Sequence, residues 1–143
     1  MAESPGQPLG LQLIWEHDLV FAGTSGDAAL TLDSAGLHGP SPVQALAFGL
    51  AGCMAMDVVF VLRKGRHDLR GFRADLTGER AADHPRRFTT FTLALTINGH
   101  IPEDVVDRAI QLSREKYCSV WHSLRQDITL TVTRSVSSTE PGA

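Results

Sequence analysis

Cysteine is scarce in this chain: two residues, Cys53 and Cys118, in 143. Two thiols so far apart do not make the disulfide framework of a small secreted domain. A chain of this length also buries enough apolar surface to fold without staples or a structural metal. Surplus positive charge is missing too. Thirteen Lys and Arg against sixteen Asp and Glu leave a net charge of −3, so no general field draws in nucleic acid or an acidic membrane surface. With aromatics at 6%, the basic clusters Arg63-Lys64-Gly65-Arg66 and Pro85-Arg86-Arg87 lack the stacking partners of a single-strand groove and read as solvated surface. The opening Met1-Ala2-Glu3-Ser4-Pro5 has no basic start leading into an apolar run, so no signal peptide is expected. A cytoplasmic location is the expectation. The serine-hydrolase elbow and the glycine-rich phosphate and dinucleotide loops are absent, as are internal repeats. The longest apolar stretch, Ala45 to Leu62, is broken by Gly49, Gly52 and Asp57 and reads as a core helix rather than a membrane span.

What is present suits a single domain over 11–134, preceded by a loose arm at 1–10 and followed by a polar, disordered tail at 135–143. Leu11–Trp15, Leu19–Phe21 and Ala28–Leu32 read as short strands between turn-formers. Ser41 is the candidate N-cap of a long helix, with Pro42 at its first position and Lys64-Gly65 as its stop. Ala47, Ala51 and Ala55 form a small-residue stripe, joined by Gly49 and Gly52, suited to close approach of another backbone, including that of a second subunit. Leu69–Thr77 and Arg87–Ile97 alternate as a β-hairpin, and Asn98-Gly99 is read as a turn into a helix from Pro102 to about Ser113. A short helix over Cys118–Leu124 and a strand over Ile128–Thr133 complete the order. The class is α+β.

Cys53 lies mid-helix among small and apolar residues, where a buried thiol is ordinarily inert. Cys118 is better placed for reactivity at a helix start, with Arg114, Lys116 and His122 close in sequence. An inert Cys118 is an equally open reading. Cys118 and His122 have the spacing of two metal ligands, but no second close pair exists, so no metal is expected. Asp57, one turn beyond Cys53, has Arg63, His67 or another subunit as candidate partners, or marks where the face meets water.

Two segments carry a resemblance. Gly39-Pro40-Ser41-Pro42-Val43-Gln44-Ala45-Leu46, followed by Leu50-Ala51-Gly52-Cys53-Met54-Ala55-Met56-Asp57-Val58-Val59, resembles the central-helix signature of the OsmC/Ohr family. Arg114-Glu115-Lys116-Tyr117-Cys118-Ser119-Val120 resembles its second-cysteine motif, and Leu62–Arg66 with Pro85–Thr89 is similar to the YhfA-like branch. The likeness spans about Leu11 to Arg134. It implies an intertwined homodimer, with long central helices packed against antiparallel sheets and active sites at the dimer interface. It also implies reduction of organic hydroperoxides, with Cys53 peroxidatic, Cys118 resolving, a lipoyl-type or other dithiol as reductant and no bound cofactor.

Two departures from the family pattern stand out. The family's peroxidases use an arginine from the N-terminal β region, but no arginine precedes Arg63 here. Their helper glutamate falls at Val43, beside Gln44. Arg86, Arg87 or His84 are candidate substitutes. The alternative is a dimer with little or no turnover, holding a small apolar or acyl ligand in a pocket lined by Gln44, Leu46, Leu50, Met54 and Asp57.

Overall fold

The computed structural model describes residues 6–138, whose backbone divides into two compact units, one ending at Leu46 and the other starting at Ala47. The arm expected at 1–10 and the tail expected at 135–143 therefore fall partly outside the described residues. Gly6–Gly10 is irregular chain, and Gly10 accepts a hydrogen bond at its carbonyl from Ser25 Oγ at 2.7 Å.

In the first unit, β1 (Gln12–His17), β2 (Val20–Ser25) and β3 (Ala28–Asp33) form an antiparallel sheet in sequential order. Both connections are tight, and each places a residue at positive φ, Asp18 at 46° and Gly26 at 57°. The three strands match the expected ones within a few residues. Asp33 then organises the chain that follows. Its buried carboxylate accepts from the amides of Ala35 (2.9 Å), Leu37 (3.3 Å) and His38 (3.0 Å). These hydrogen bonds hold its acid below the usual carboxylate range. The loop ends at a reciprocal cap: Gln44 N–H donates to Ser41 Oγ (3.1 Å) and Ser41 N–H to Gln44 Oε1 (2.9 Å). Ser41 and Pro42 thus start the helix as the sequence predicts.

That helix, α1 (Pro42–Lys64), runs on into the second unit. By length and composition it could cross a bilayer. Instead, Leu50, Met54, Val58 and Leu62, spaced four apart, form a fully buried stripe. The core they enter includes Phe91, Leu93, Leu95 and Ile97 from β5 (Phe88–His100) and Val106 and Ala109 from α2 (Glu103–Leu112). Each such side chain contributes about 1.5–3 kcal/mol on burial. The opposite stripe behaves differently: Phe48, Met56 and Phe60 are 70%, 66% and 62% exposed. Among the described residues nothing outside the helix's own backbone comes close enough to touch a Cβ at Gly49 or Gly52. At these two glycines of the small-residue stripe, no close approach is made among the described residues.

β4 (Asp68–Arg80) pairs antiparallel with β5, as expected for the hairpin, but both strands are longer than their alternation suggests. Asn98-Gly99 is not a turn; it lies inside β5, opposite Leu69 and Gly71. Gly99 adopts φ +148°, and a Cβ there would overlap the Asp68 carbonyl, so glycine is needed for close strand approach rather than for reversal. After α2 come a five-residue π-turn (Ser113–Tyr117) and a short α3 (Ser119–His122). They carry the chain back to β6 (Thr129–Ser137), which runs parallel to β5. The second sheet, in order β4-β5-β6, is therefore mixed rather than wholly antiparallel, because a helical crossover separates its last two strands. β6 also takes in Ser135–Ser137, which the sequence reading assigned to the tail. The α+β class stands.

Candidate functional site

Cys53 and Asp57 sit one turn apart on α1 and so project from the same helix face. Cys118 reaches them from the junction between the π-turn and α3. The two sulfurs and the Asp57 carboxylate lie within 4.8 Å of one another. Cys53 is half-buried and Cys118 fully buried; both are free thiols.

One residue builds the far side of this cluster. Ser113 is completely buried, and its hydroxyl donates to Asp57 Oδ2 at 2.8 Å. Its carbonyl accepts from the Cys118 amide at 2.8 Å, the bond that closes the π-turn. A hydrogen bond between residues five apart widens the helix by one residue, a distortion concentrated at functional sites. Here it sets the serine side chain on the carboxylate and the next cysteine beside it. Cys118 in turn caps α3, its Sγ accepting from the Trp121 amide at 3.3 Å.

The electrostatics do not favour anions. Burial is the main cause pushing the Cys118 thiol up to about 12; the Trp121 amide opposes this, and the neighbouring Cys53 and Asp57 push it further up. Burial also raises the Asp57 acid above its ordinary value, against the pull of the Ser113 hydroxyl. Of the two readings left open for Cys118, burial weighs against the thiolate form at rest. Its helix is a single turn, and His122 is turned away, its Nε2 bonded to the Arg114 carbonyl at 3.0 Å. His122 accordingly does not join Cys118 in a ligand pair. Asp57 is paired with Ser113 rather than with Arg63 or His67.

The remaining candidates fall elsewhere. Gln44 serves the helix cap, Leu46 is exposed on the first turn, and Leu50 and Met54 are 0% and 1% exposed within the core. A cavity of about 230 Å³ instead lies on the first sheet, lined by Leu11, Leu13, Leu30 and Leu32 among others. Arg87 is engaged by Asp127 at 3.8 Å and by the Phe88 carbonyl, while His84 and Arg86 are exposed. Sequence reasoning missed Ser113. The one available signal was its place just before the second-cysteine segment at the end of a helix, and nothing in the residue pattern announces a π-turn.

This fold belongs to a known family. The chain is a member of the OsmC-like protein family, whose model matches residues 33–133. Protein YhfA of Escherichia coli (strain K12) is 38% identical to it over 120 residues, covering 82% of this chain and 90% of that protein. A hypothetical protein from Aquifex aeolicus VF5 superimposes with a TM-score of 0.85 at 22% identity, covering 93% of this chain and 99% of the other. The organic hydroperoxide resistance protein OhrB of Bacillus subtilis does so with a TM-score of 0.59 at 14% identity, covering 90% and 98%. At these identities the two structures share the fold.

Proposed function

We propose that the protein reduces organic hydroperoxides through Cys53 and Cys118, working as a cytoplasmic homodimer with a lipoyl-type or other dithiol as reductant. The observation that carries this reading is the meeting of the two thiols within 4.8 Å from distant parts of the chain. Their environments divide the labour. Half-buried Cys53 is open to a substrate, whereas Cys118 is sealed and held protonated at neutral pH. The Cys53 thiolate attacks the O–O bond, becoming a sulfenic acid and releasing an alcohol. The Cys118 sulfur then displaces the sulfenic oxygen as water, forming a disulfide that the dithiol reduces. Family membership and the hydroperoxide-resistance role of OhrB support the substrate class. Without the N-terminal arginine, the first step is expected to be slower than in relatives that keep one, since a lost electrostatic helper costs orders of magnitude in rate.

The homodimer reading rests on the uncovered stripe of α1. Phe48, Met56 and Phe60 flank Gly52 at four-residue intervals, an apolar face with room for a second helix. The test of function is hydroperoxide consumption with a dithiol, comparing wild type with Cys53→Ser. Loss of turnover in the variant is expected; equal rates would sink the redox reading. The second reading, a dimer that holds a small apolar or acyl ligand without turnover, is favoured by the apolar cavity of the first sheet. Extraction of a bound lipid from the purified protein, with both thiols untouched by hydroperoxide, would select it.

A further inference from the structure

We propose that Asp57, held in place by Ser113, is the proton acceptor for the Cys118 thiol in the step that closes the disulfide. The proposal rests on the redox reading above and names the group that makes its second half possible.

A resolving thiol must lose its proton as its sulfur attacks. Cys53 is half-exposed and can exchange a proton with water, but Cys118 is 0% exposed. Its proton therefore needs an acceptor inside the protein. The groups facing Asp57 are Cys53 from its own helix and Ser113 and Cys118 from the segment packed against it. Among the described residues no fourth cysteine, histidine or carboxylate completes that cluster. The carboxylate is correctly placed for both sulfurs, and it does not wander, because the buried Ser113 hydroxyl fixes one oxygen at 2.8 Å. Its other oxygen stays available to accept.

The energetics point the same way. Ionising Cys118 beside an ionised Asp57 would put two negative charges in one poorly solvated cluster. Moving the proton from Cys118 to Asp57 replaces one anion by another and creates no second. Burial raises the Asp57 carboxyl above its ordinary value, which makes its carboxylate a better proton acceptor than a solvated one. The balance closes as follows. The Cys118 S–H bond breaks, its proton going to the Asp57 carboxylate as the S–S bond to Cys53 forms. The Cys53 S–O bond breaks with its electron pair, and the departing hydroxide takes the proton from Asp57 and leaves as water. Asp57 is regenerated as carboxylate, the hydroperoxide having been the oxidant.

Single-turnover oxidation of the reduced protein by one equivalent of cumene hydroperoxide tests this. Disulfide is quantified by mass spectrometry, and Cys53 sulfenic acid is trapped with dimedone in a Cys118→Ser background. Asp57→Asn keeps the shape and the acceptor for Ser113. It is expected to slow disulfide closure at pH 7 at least tenfold relative to sulfenic acid formation measured in the same variant. Asp57→Glu, which keeps the carboxylate, should recover part of the rate. Equal closure rates in wild type and Asp57→Asn would overturn the proposal alone. Failure of the wild type to form either sulfenic acid or disulfide would remove the redox reading and the proposal with it. If circular dichroism shows Asp57→Asn unfolded, Ser113→Ala is read instead. It is expected to slow closure severalfold relative to its own first step, and an unchanged closure rate would again overturn the proposal.

Discussion

The two units of this chain use apolar residues in opposite ways. From Ala47 onward, leucine, valine and phenylalanine on a helix stripe and alternating strand positions meet in one dense cluster. Before Leu46, β1 is exposed along its whole length, and Leu11, Leu13, Ile14, Trp15 and Leu30 are 47–68% exposed. That unit is ordered by polar devices instead: the tight turns, the Asp33 carboxylate and the Ser41–Gln44 cap. Local hydrogen bonds each add only about 0.5–1.5 kcal/mol, whereas a core side chain contributes more. The difference teaches that the first sheet has its shape specified within the chain but leaves much of its apolar surface for something else to cover.

The largest expected effect comes from breaking the dense side. Phe91→Ala or Leu93→Ala should cost about 3–5 kcal/mol in urea unfolding, while Leu13→Ala should cost under about 0.5 kcal/mol in a dilute monomer. A large Leu13 effect that grows with protein concentration would mean that a second copy covers the first sheet. Next, Phe48→Glu together with Phe60→Glu should shift a dimer to monomer in analytical ultracentrifugation, with far-UV circular dichroism preserved. An unchanged sedimentation coefficient would exclude α1 from the subunit contact.

Alkali gives a smaller probe of the second unit. The Cys118 thiol titrates near 9.0 when unfolded and near 12 when folded, so between these values the unfolded state holds fewer protons. Stability should therefore fall as pH rises through that window, by at most about 1.4 kcal/mol per pH unit. Thermal melts should show a shallower fall in Cys118→Ala; parallel slopes would contradict the buried, protonated thiol. Asp33 runs in the opposite sense. Its folded acid is lowered, so its stabilisation is present above the ordinary carboxylate range and lost as pH falls through the depressed value. In Asp33→Ala, hydrogen exchange at the amides of Ala35, Leu37 and His38 should accelerate while β5 stays protected. Accelerated exchange across β5 would show that the two units open together.

Much of this was legible where local chemistry speaks clearly. Ser41, Pro42 and Lys64-Gly65 bracket α1 because caps and stops are short-range signals, and strand alternation located the hairpin. The misreadings share another cause. Asn98-Gly99 has the composition of a turn, yet strand pairing with Asp68–Gly71 overrode it. Ser135–Ser137 looks like tail until β5 offers a ladder to join. The Cys118 thiol was judged by its neighbours in sequence, whereas its surroundings in space are Asp57, Cys53 and the core. Cys53 and Cys118 could be named from their motifs; Ser113 could not, since a π-turn is a tertiary outcome with no residue signature of its own.

That turn also acts as a phase-setter. An α-helix advances about 100° per residue, so the residue absorbed between Ser113 and Cys118 decides which way everything after it points. Wound as an ordinary α-helix over the same residues, the segment would swing the second sulfur about a quarter-turn away from Cys53. Every side chain would still be present, with nothing left to bring the two thiols together.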